Sequence, residues 1–190
     1  DDFIGKSIPF DRVVSLVKIR AERSRILRSF MVRDGLTGLL NHSSTKEQLA
    51  FEIASSKRKK TRLAFALIDI DKFKTLNDTY GHLFGDHAIK SLSRLLQLRL
   101  RKSDIIGRYG GDEFAVILTD SDGKSAWKVL DEIRQVFSRI RQQSKNNEIY
   151  LTFSCGIATF PEHNNAINIT EAADRSLYEA KHKGRNKVVL

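Results

Sequence analysis

The stretch DIIGRYGGDEFAVILT, residues 104–119, decides the fold. Two strand-like runs, Asp104 to Tyr109 and Glu113 to Thr119, flank Gly110-Gly111. A glycine pair between such runs signals a hairpin whose tight turn asks for positive φ. Upstream, Leu63 to Ile70 is a short and nearly continuous apolar run ending in acids, as expected of a buried strand. Between it and the hairpin, the spacing predicts a short helix over Phe73 to Asp78. A longer helix follows over Gly85 to Arg101, with Ile89, Leu92, Leu95 and Leu96 on one side. Upstream of Leu63 a helix is expected from Thr45 to Ser56. Downstream the pattern gives a helix from Ser125 to Gln142, a strand from Ile149 to Phe160, a helix from Ile169 to Lys183 and a last strand Val188 to Leu190. This order predicts one α/β sandwich with a mixed central sheet flanked by helices.

The composition allows that fold and narrows what it can serve. The chain has 190 residues, 41% of them hydrophobic, with 33 Lys and Arg against 23 Asp and Glu for a formal charge of +10. A domain of this size buries about two-thirds of its unfolded surface, so a core needs no metal or disulfide support. The longest apolar run, Leu63 to Ile68, is far short of the roughly 20 residues of a membrane span. The amino-terminal residues show no basic segment followed by an apolar one, so no signal peptide is expected. Cys155 is the single cysteine and reads as a small strand residue in a reducing compartment, which points to a soluble, cytoplasmic protein. The basic excess is spread along the chain, and its one dense run, Lys57 to Lys60, reads as a solvated loop. A nucleic-acid module would rest on charge alone, without aromatic-rich strands or a basic recognition helix.

Residues 9 to 33 read as one helix, with Leu16, Ile19, Ile26 and Phe30 in a narrow stripe that Arg23 interrupts. Such a stripe suits a connector that pairs with a second copy of itself, or a helix lying on its own domain.

Two acidic clusters stand at strand ends. Asp69-Ile70-Asp71 closes one strand and Asp112-Glu113 opens another after Gly110-Gly111. If the two strands are neighbours, their carboxylates meet at one edge of the sheet. Mg2+ takes oxygen ligands from one or two carboxylates and from substrate phosphates. The glycines let a triphosphate approach the backbone, and the helix opening at Lys72-Phe73-Lys74 offers amides and a positive dipole end.

Together these residues carry a family resemblance. Residues 109–114, YGGDEF, resemble the signature of GGDEF domains, the diguanylate cyclases. Residues 34–39, DGLTGL, resemble the family's amino-terminal motif. Residues 69–74, DIDKFK, and 77–86, NDTYGHLFGD, match the next two motifs. Asp174, Tyr178, Ala180-Lys181 and Gly184-Arg185-Asn186 match the carboxy-terminal helix and the turn after it. The resemblance covers residues 34–190, and it implies the nucleotidyl-cyclase-like GGDEF fold.

It also implies a reaction: two GTP condense into cyclic di-GMP with loss of two pyrophosphates, each of two domains holding one GTP. By the resemblance, Asp69, the Ile70 carbonyl, Asp112 and Glu113 hold Mg2+ or Mn2+, with Glu113 either general base or metal ligand. Lys72, Phe73, Lys74, Gly110 and Gly111 border the GTP. Asn77 and Asp86 read guanine, Lys181 and Arg185 clamp the β- and γ-phosphates, and His82 orders its loop. Arg101 and Asp104 resemble the RxxD product-inhibition motif, with Arg134 the nearest candidate for a helper arginine. Cyclic di-GMP is then both product and inhibitor, and catalysis requires a homodimer. His42-Ser43 stand where the family often has two arginines. The first eight residues resemble the end of a response-regulator receiver domain, with Lys6 closing its last strand and Ser7 in place of the usual Pro. On that reading residues 1–33 are a receiver remnant and signalling linker. A silent nucleotide receptor on the same fold is the alternative, but such members usually lose the acids that this chain keeps.

Overall fold

The structure is a computed structural model and describes residues 11–20, 32–144 and 147–190. Residues 11–20 are helical (α1). Of the expected helix 9 to 33, residues 9–10 and 21–31 lie outside the described ones, as does the receiver-like stretch at residues 1–8, and Arg33 is not helical but bridges antiparallel to Leu40.

From residue 42 the elements run α2 (His42–Lys59), β1 (Leu63–Ile70), α3 (Phe73–Tyr80), α4 (His82–Arg99), β2 (Ile105–Arg108) and β3 (Glu113–Thr119). They continue with α5 (Gly123–Phe137), β4 (Arg141–Ser144), β5 (Asn147–Tyr150), β6 (Phe153–Phe160), α6 (Ala166–His182) and β7 (Val188–Val189). The main sheet has the order β2-β3-β1-β6-β7. Its first four strands are mutually antiparallel and β7 runs parallel to β6, so the sheet is mixed.

β1 lies at the centre, and the core shows why its sequence does not alternate. Ala64, Ala66, Ile68 and Ile70 face one apolar cluster with Leu92 and Leu96 of α4 and Leu130 of α5. Leu63, Phe65 and Leu67 face a second with Leu49 and Ile53 of α2 and Leu177 of α6. A strand covered on both faces carries apolar residues at every position. Cys155 is fully buried in β6, and burial pushes its thiol up, so it packs as a small apolar residue.

Helix ends differ from the sequence expectations where caps act. α2 starts at His42 because Asn41 Oδ1 accepts from Ser44 N–H at 3.0 Å, and α5 starts at Gly123 because Asp122 Oδ1 accepts from Ser125 N–H at 2.8 Å. Such side chains satisfy amides that the helix itself cannot. The run Lys57 to Lys59 forms the last turn of α2, not a loop, where cations meet the negative end of the helix dipole.

α5 stops at Phe137, five residues early, and Arg141 and Gln142 pair with Tyr150 and Ile149 in a separate two-stranded sheet. The expected strand from Ile149 to Phe160 is therefore two strands in two sheets. Residues 141–144 read RQQS and carry little strand propensity, so nothing local announces that hairpin.

The segment before α2 is laced to the sheet edge. Asn41 N–H donates to Val32 O at 2.9 Å, Arg108 N–H donates to Leu40 O at 2.8 Å, and Leu40 pairs parallel to Gly107. Leu40 thereby covers part of the β2 edge, which would otherwise present unpaired backbone groups.

Candidate functional site

The two acidic clusters do meet. β1 and β3 are neighbours, and their register sets Asp69 directly opposite Glu113, with Ser154 of β6 on the other side of Asp69. Burial pushes the Asp69 carboxyl up to about 6, Lys181 opposes this, and the charges of Asp112 and Glu113 add to it. Burial likewise raises Asp112, against its own backbone hydrogen bond and the charges of Lys181 and Arg108. Three carboxylates thus share one strand-end edge. Among the described residues their one ion-pair contact is Lys181, whose Nζ lies 2.8 Å from Asp69 Oδ2.

The Asp69 shift has a sign for stability. The folded protein holds this proton up to about pH 6, whereas an ordinary aspartate loses it near 3.8. Its contribution therefore favours folding at low pH and is lost as pH rises through 6. Asp69→Asn is expected to raise the melting temperature of the cation-free protein at pH 8 and to leave it unchanged at pH 3.5, as differential scanning calorimetry would show.

The glycine pair does not adopt the expected tight turn, and neither glycine has positive φ. Five residues, 109–113, separate the last β2–β3 pair, Arg108 with Phe114. Tyr109 N–H and Gly110 N–H both donate to Glu113 O, at 2.8 and 3.2 Å. At Gly110 a Cβ would stand 2.6 Å from Glu113 Oε2, the free end of a side chain that can swing aside. Gly111 is open on its side, with nothing within 4 Å of such a Cβ.

Arg108 braces this turn. Its Nε and Nη2 donate to Gly111 O at 3.0 and 2.6 Å, and its Nη1 reaches Asp34 Oδ2 at 3.0 Å. Asp34 also accepts from the Thr37 N–H and hydroxyl at 2.8 and 2.6 Å, and these contacts hold its carboxyl below the usual range despite burial. The DGLTGL turn is therefore tied to the signature turn. His42, at the family's arginine position, packs edge-on against Tyr109 with ring centres 4.4 Å apart.

Asp71 has a different task from Asp69. Its carboxylate accepts from the Thr152 and Ser154 hydroxyls, both at 2.6 Å, and from Asn186 N–H at 3.0 Å. That ties the end of β1 to the turn after α6, where Arg185 and Asn186 take positive φ. Lys181 and Arg185 are both brought to this end of the sheet. Lys72 and Arg185 line the mouth of a groove of about 570 Å3 that also holds Thr75, Thr79 and Thr152. No side chain caps α3, so the leading amides near Phe73 and Lys74 stay free of side-chain acceptors. Lys74 is exposed.

On the other face of α3, Asn77 lies against Gly85 so closely that a Cβ there would stand 2.0 Å from Asn77 Oδ1. That oxygen is buried and is the one buried side-chain polar atom without a partner among the described residues. A lone buried acceptor is costly unless a ligand satisfies it. Asp86 follows Gly85 on α4, half-buried. His82 is exposed at the first position of α4.

Arg101 and Asp104 lie at the opposite end of the β2–β3 hairpin from the signature turn. Asp104 accepts from Arg101 N–H at 2.9 Å, closing the turn into β2. Both line a recess of about 140 Å3 that also contains Arg99. Arg134 is not there. It is committed to Asp131 at 2.7 Å and to Asn186 Oδ1 at 2.8 Å, so it supports the turn after α6. Sequence reasoning missed Arg108 and the anchoring role of Asp71, whose partners lie 74 to 115 residues away and leave no local signal.

Oxygen donors alone line the acidic edge, which suits a hard divalent cation. Among the described residues no three His, Cys, Asp or Glu side chains form a ready-made cage, and Mg2+ needs none where substrate phosphates supply further ligands. No helix among the described residues is long and apolar enough to cross a membrane.

Comparison with known proteins gives a consistent result. The family described as "Diguanylate cyclase, GGDEF domain" matches residues 31–187. Probable diguanylate cyclase DgcC of Escherichia coli K12 is 38% identical over 168 residues, which is 88% of this chain and 45% of DgcC. Diguanylate cyclase DosC of the same strain is 36% identical, over 94% of this chain and 42% of DosC. The chain thus spans less than half the length of these relatives. Among solved structures, the coiled coil and GGDEF domain of DgcB from Caulobacter crescentus, in complex with c-di-GMP, superposes with a TM-score of 0.87 at 29% identity. That match covers 94% of this chain and 95% of the DgcB chain. An active GGEEF domain from Vibrio cholerae gives 0.75 at 29% identity, over 80% of this chain and 96% of that one.

Proposed function

The chain belongs to the diguanylate cyclase GGDEF domain family, and from that premise we propose that it condenses two GTP into cyclic di-GMP and two pyrophosphates. The observation that carries this reading is the register of β1 and β3, which sets Asp69 opposite Glu113 beside an open Gly111. Each 3′-hydroxyl oxygen attacks the other nucleotide's α-phosphorus, a phosphodiester forms and pyrophosphate leaves. Such phosphoryl transfer is mostly positioning and charge neutralisation.

Each residue has a place in this scheme. Asn77, with its unpartnered buried oxygen, and Asp86 read the guanine donors. Phe73 and the α3 amides, with Lys72, Lys74, Lys181 and Arg185, hold the phosphates. Asp69, the Ile70 carbonyl and Asp112 hold Mg2+ or Mn2+, and Glu113 either joins them as a ligand or takes the 3′-proton. A divalent cation held there neutralises phosphate charge as a Lewis acid. Since one domain holds one GTP, turnover requires two copies face to face. Residues 1–33 regulate that pairing as the linker of an upstream receiver domain, and residues 34–190 form the catalytic domain.

The test is incubation with GTP and Mg2+ and chromatographic detection of cyclic di-GMP, with a rate per domain that rises with protein concentration. GTP that binds but is recovered intact would make the chain a receptor instead.

Product inhibition has its own test. The Arg101–Asp104 recess is small, about 140 Å3, and Arg101 there is suited to guanine O6 and N7. Arg101→Ala is expected to raise the cyclic di-GMP concentration needed for half-inhibition about tenfold or more while the uninhibited rate is kept, as a product-addition series would show.

A further inference from the structure

Lys181 stands where two roles compete. Its ammonium lies 2.8 Å from Asp69 Oδ2, a charge-assisted hydrogen bond of ordinary length. The same ammonium also attracts the Asp112 carboxylate. Asp69 is its only ion-pair partner among the described residues. From the proposed cyclase reading, on which this inference rests, Lys181 has a second partner in the phosphates of GTP, and Asp69 has one in a divalent cation.

We propose that Lys181 guards the Asp69 carboxylate, so that the divalent cation binds together with the nucleotide phosphates rather than ahead of them. A hard cation binds a carboxylate oxygen at about 2.1 Å. With the ammonium on that same oxygen, a double and a single positive charge would lie only about 4 to 5 Å apart, in a partly buried setting where such charges repel strongly. Without phosphates the ammonium can leave only by giving up its one partner. A triphosphate offers it another and brings several negative charges into the site. Each ligand then removes a cost the other would meet, and that coupling is reciprocal.

The mechanics fit a movable guard on a fixed base. Leu177 and Ala180 are buried on either side of Tyr178 and Glu179, and α6 rests against Gly156 of β6 with no room between them. The root of Lys181 is therefore held. Its side chain is about one-third exposed, and a lysine stem is long, flexible and tipped by a compact charge. Arg185, in the turn after α6, is exposed and has no ion-pair partner among the described residues, so it can engage phosphate without first breaking an ion pair.

The experiment titrates the full chain with Mn2+ alone, without nucleotide, and reads free Mn2+ by electron paramagnetic resonance. Lys181→Met and Lys181→Gln are expected to bind Mn2+ about tenfold tighter than the parent, and Lys181→Arg to bind as weakly as the parent does. Melting curves of both neutral variants establish that they are folded, and the glutamine variant keeps a hydrogen-bond donor if methionine disturbs the site. Neutral variants that bind Mn2+ no better than the parent would overturn the guard. Parent and variants that all ignore millimolar Mn2+ would overturn it together with the cation assignment. A clear Mn2+ difference in a parent that makes no cyclic di-GMP would sustain the guard and overturn the cyclase reading alone.

Discussion

Asp112→Ala is expected to lower cyclic di-GMP formation by about 100- to 1000-fold, the range seen when one group that stabilises transition-state charge is removed. The same change should leave stability unchanged or slightly higher. Burial raises the Asp112 carboxyl, so its charge is held against its preference. Its structural contact is made by the backbone, where Asp112 O accepts from Ile70 N–H at 3.4 Å, and alanine keeps that. Loss of turnover with an unchanged melting temperature, in matched rate and unfolding measurements, separates a missing ligand from a damaged fold. A variant that retained more than a tenth of parental turnover would remove Asp112 from the chemistry.

Gly156→Val is expected to be the most destabilising single change outside the acidic edge. A Cβ at Gly156 would stand 2.1 Å from Leu177 N, 2.2 Å from Ala173 O and 2.7 Å from Leu177 Cα. These are backbone atoms of α6, so no rotamer change relieves the clash. Overpacking of this kind costs about 3 kcal/mol or more, measurable as a lower urea midpoint. Gly35→Ala serves as the control, since nothing lies within 4 Å of its Cβ position and a shift within about 0.5 kcal/mol is expected. Any folded Gly156→Val protein should also turn over poorly. α6 carries Lys181, and a displacement of about 1 Å in a positioning group can cost about 100-fold in rate.

The sequence was legible where one residue type answers one local demand. The unbroken apolar run of β1 and the limits of β3 follow from burial on both faces, and the acids at their ends follow by register. Features set by distant partners were not legible. Arg108 looks like any strand arginine until Asp34 and Gly111 O are seen on its two sides. Arg134 looked free for the product recess, whereas Asn186, 52 residues away, holds it. Gly110-Gly111 suggested a positive-φ turn. At Gly110 the atom nearest a Cβ position is instead the end of the Glu113 side chain, and no backbone atom crowds it. The β4–β5 hairpin has polar strands that nothing in their own composition distinguishes from the end of α5.

The pairing of Asp69 with Glu113 has a bearing on how such a chain can diverge. Side chains alternate along a strand, so a one-residue insertion within β1 or β3 sends every following residue to the opposite face. It would exchange the residues that face the two apolar clusters and carry Asp69 out of register with Glu113. Drift by substitution is open along these strands, but drift by length is closed. The peripheral β4–β5 ribbon, which touches neither register, is where this lineage can lengthen or shorten without losing its chemistry.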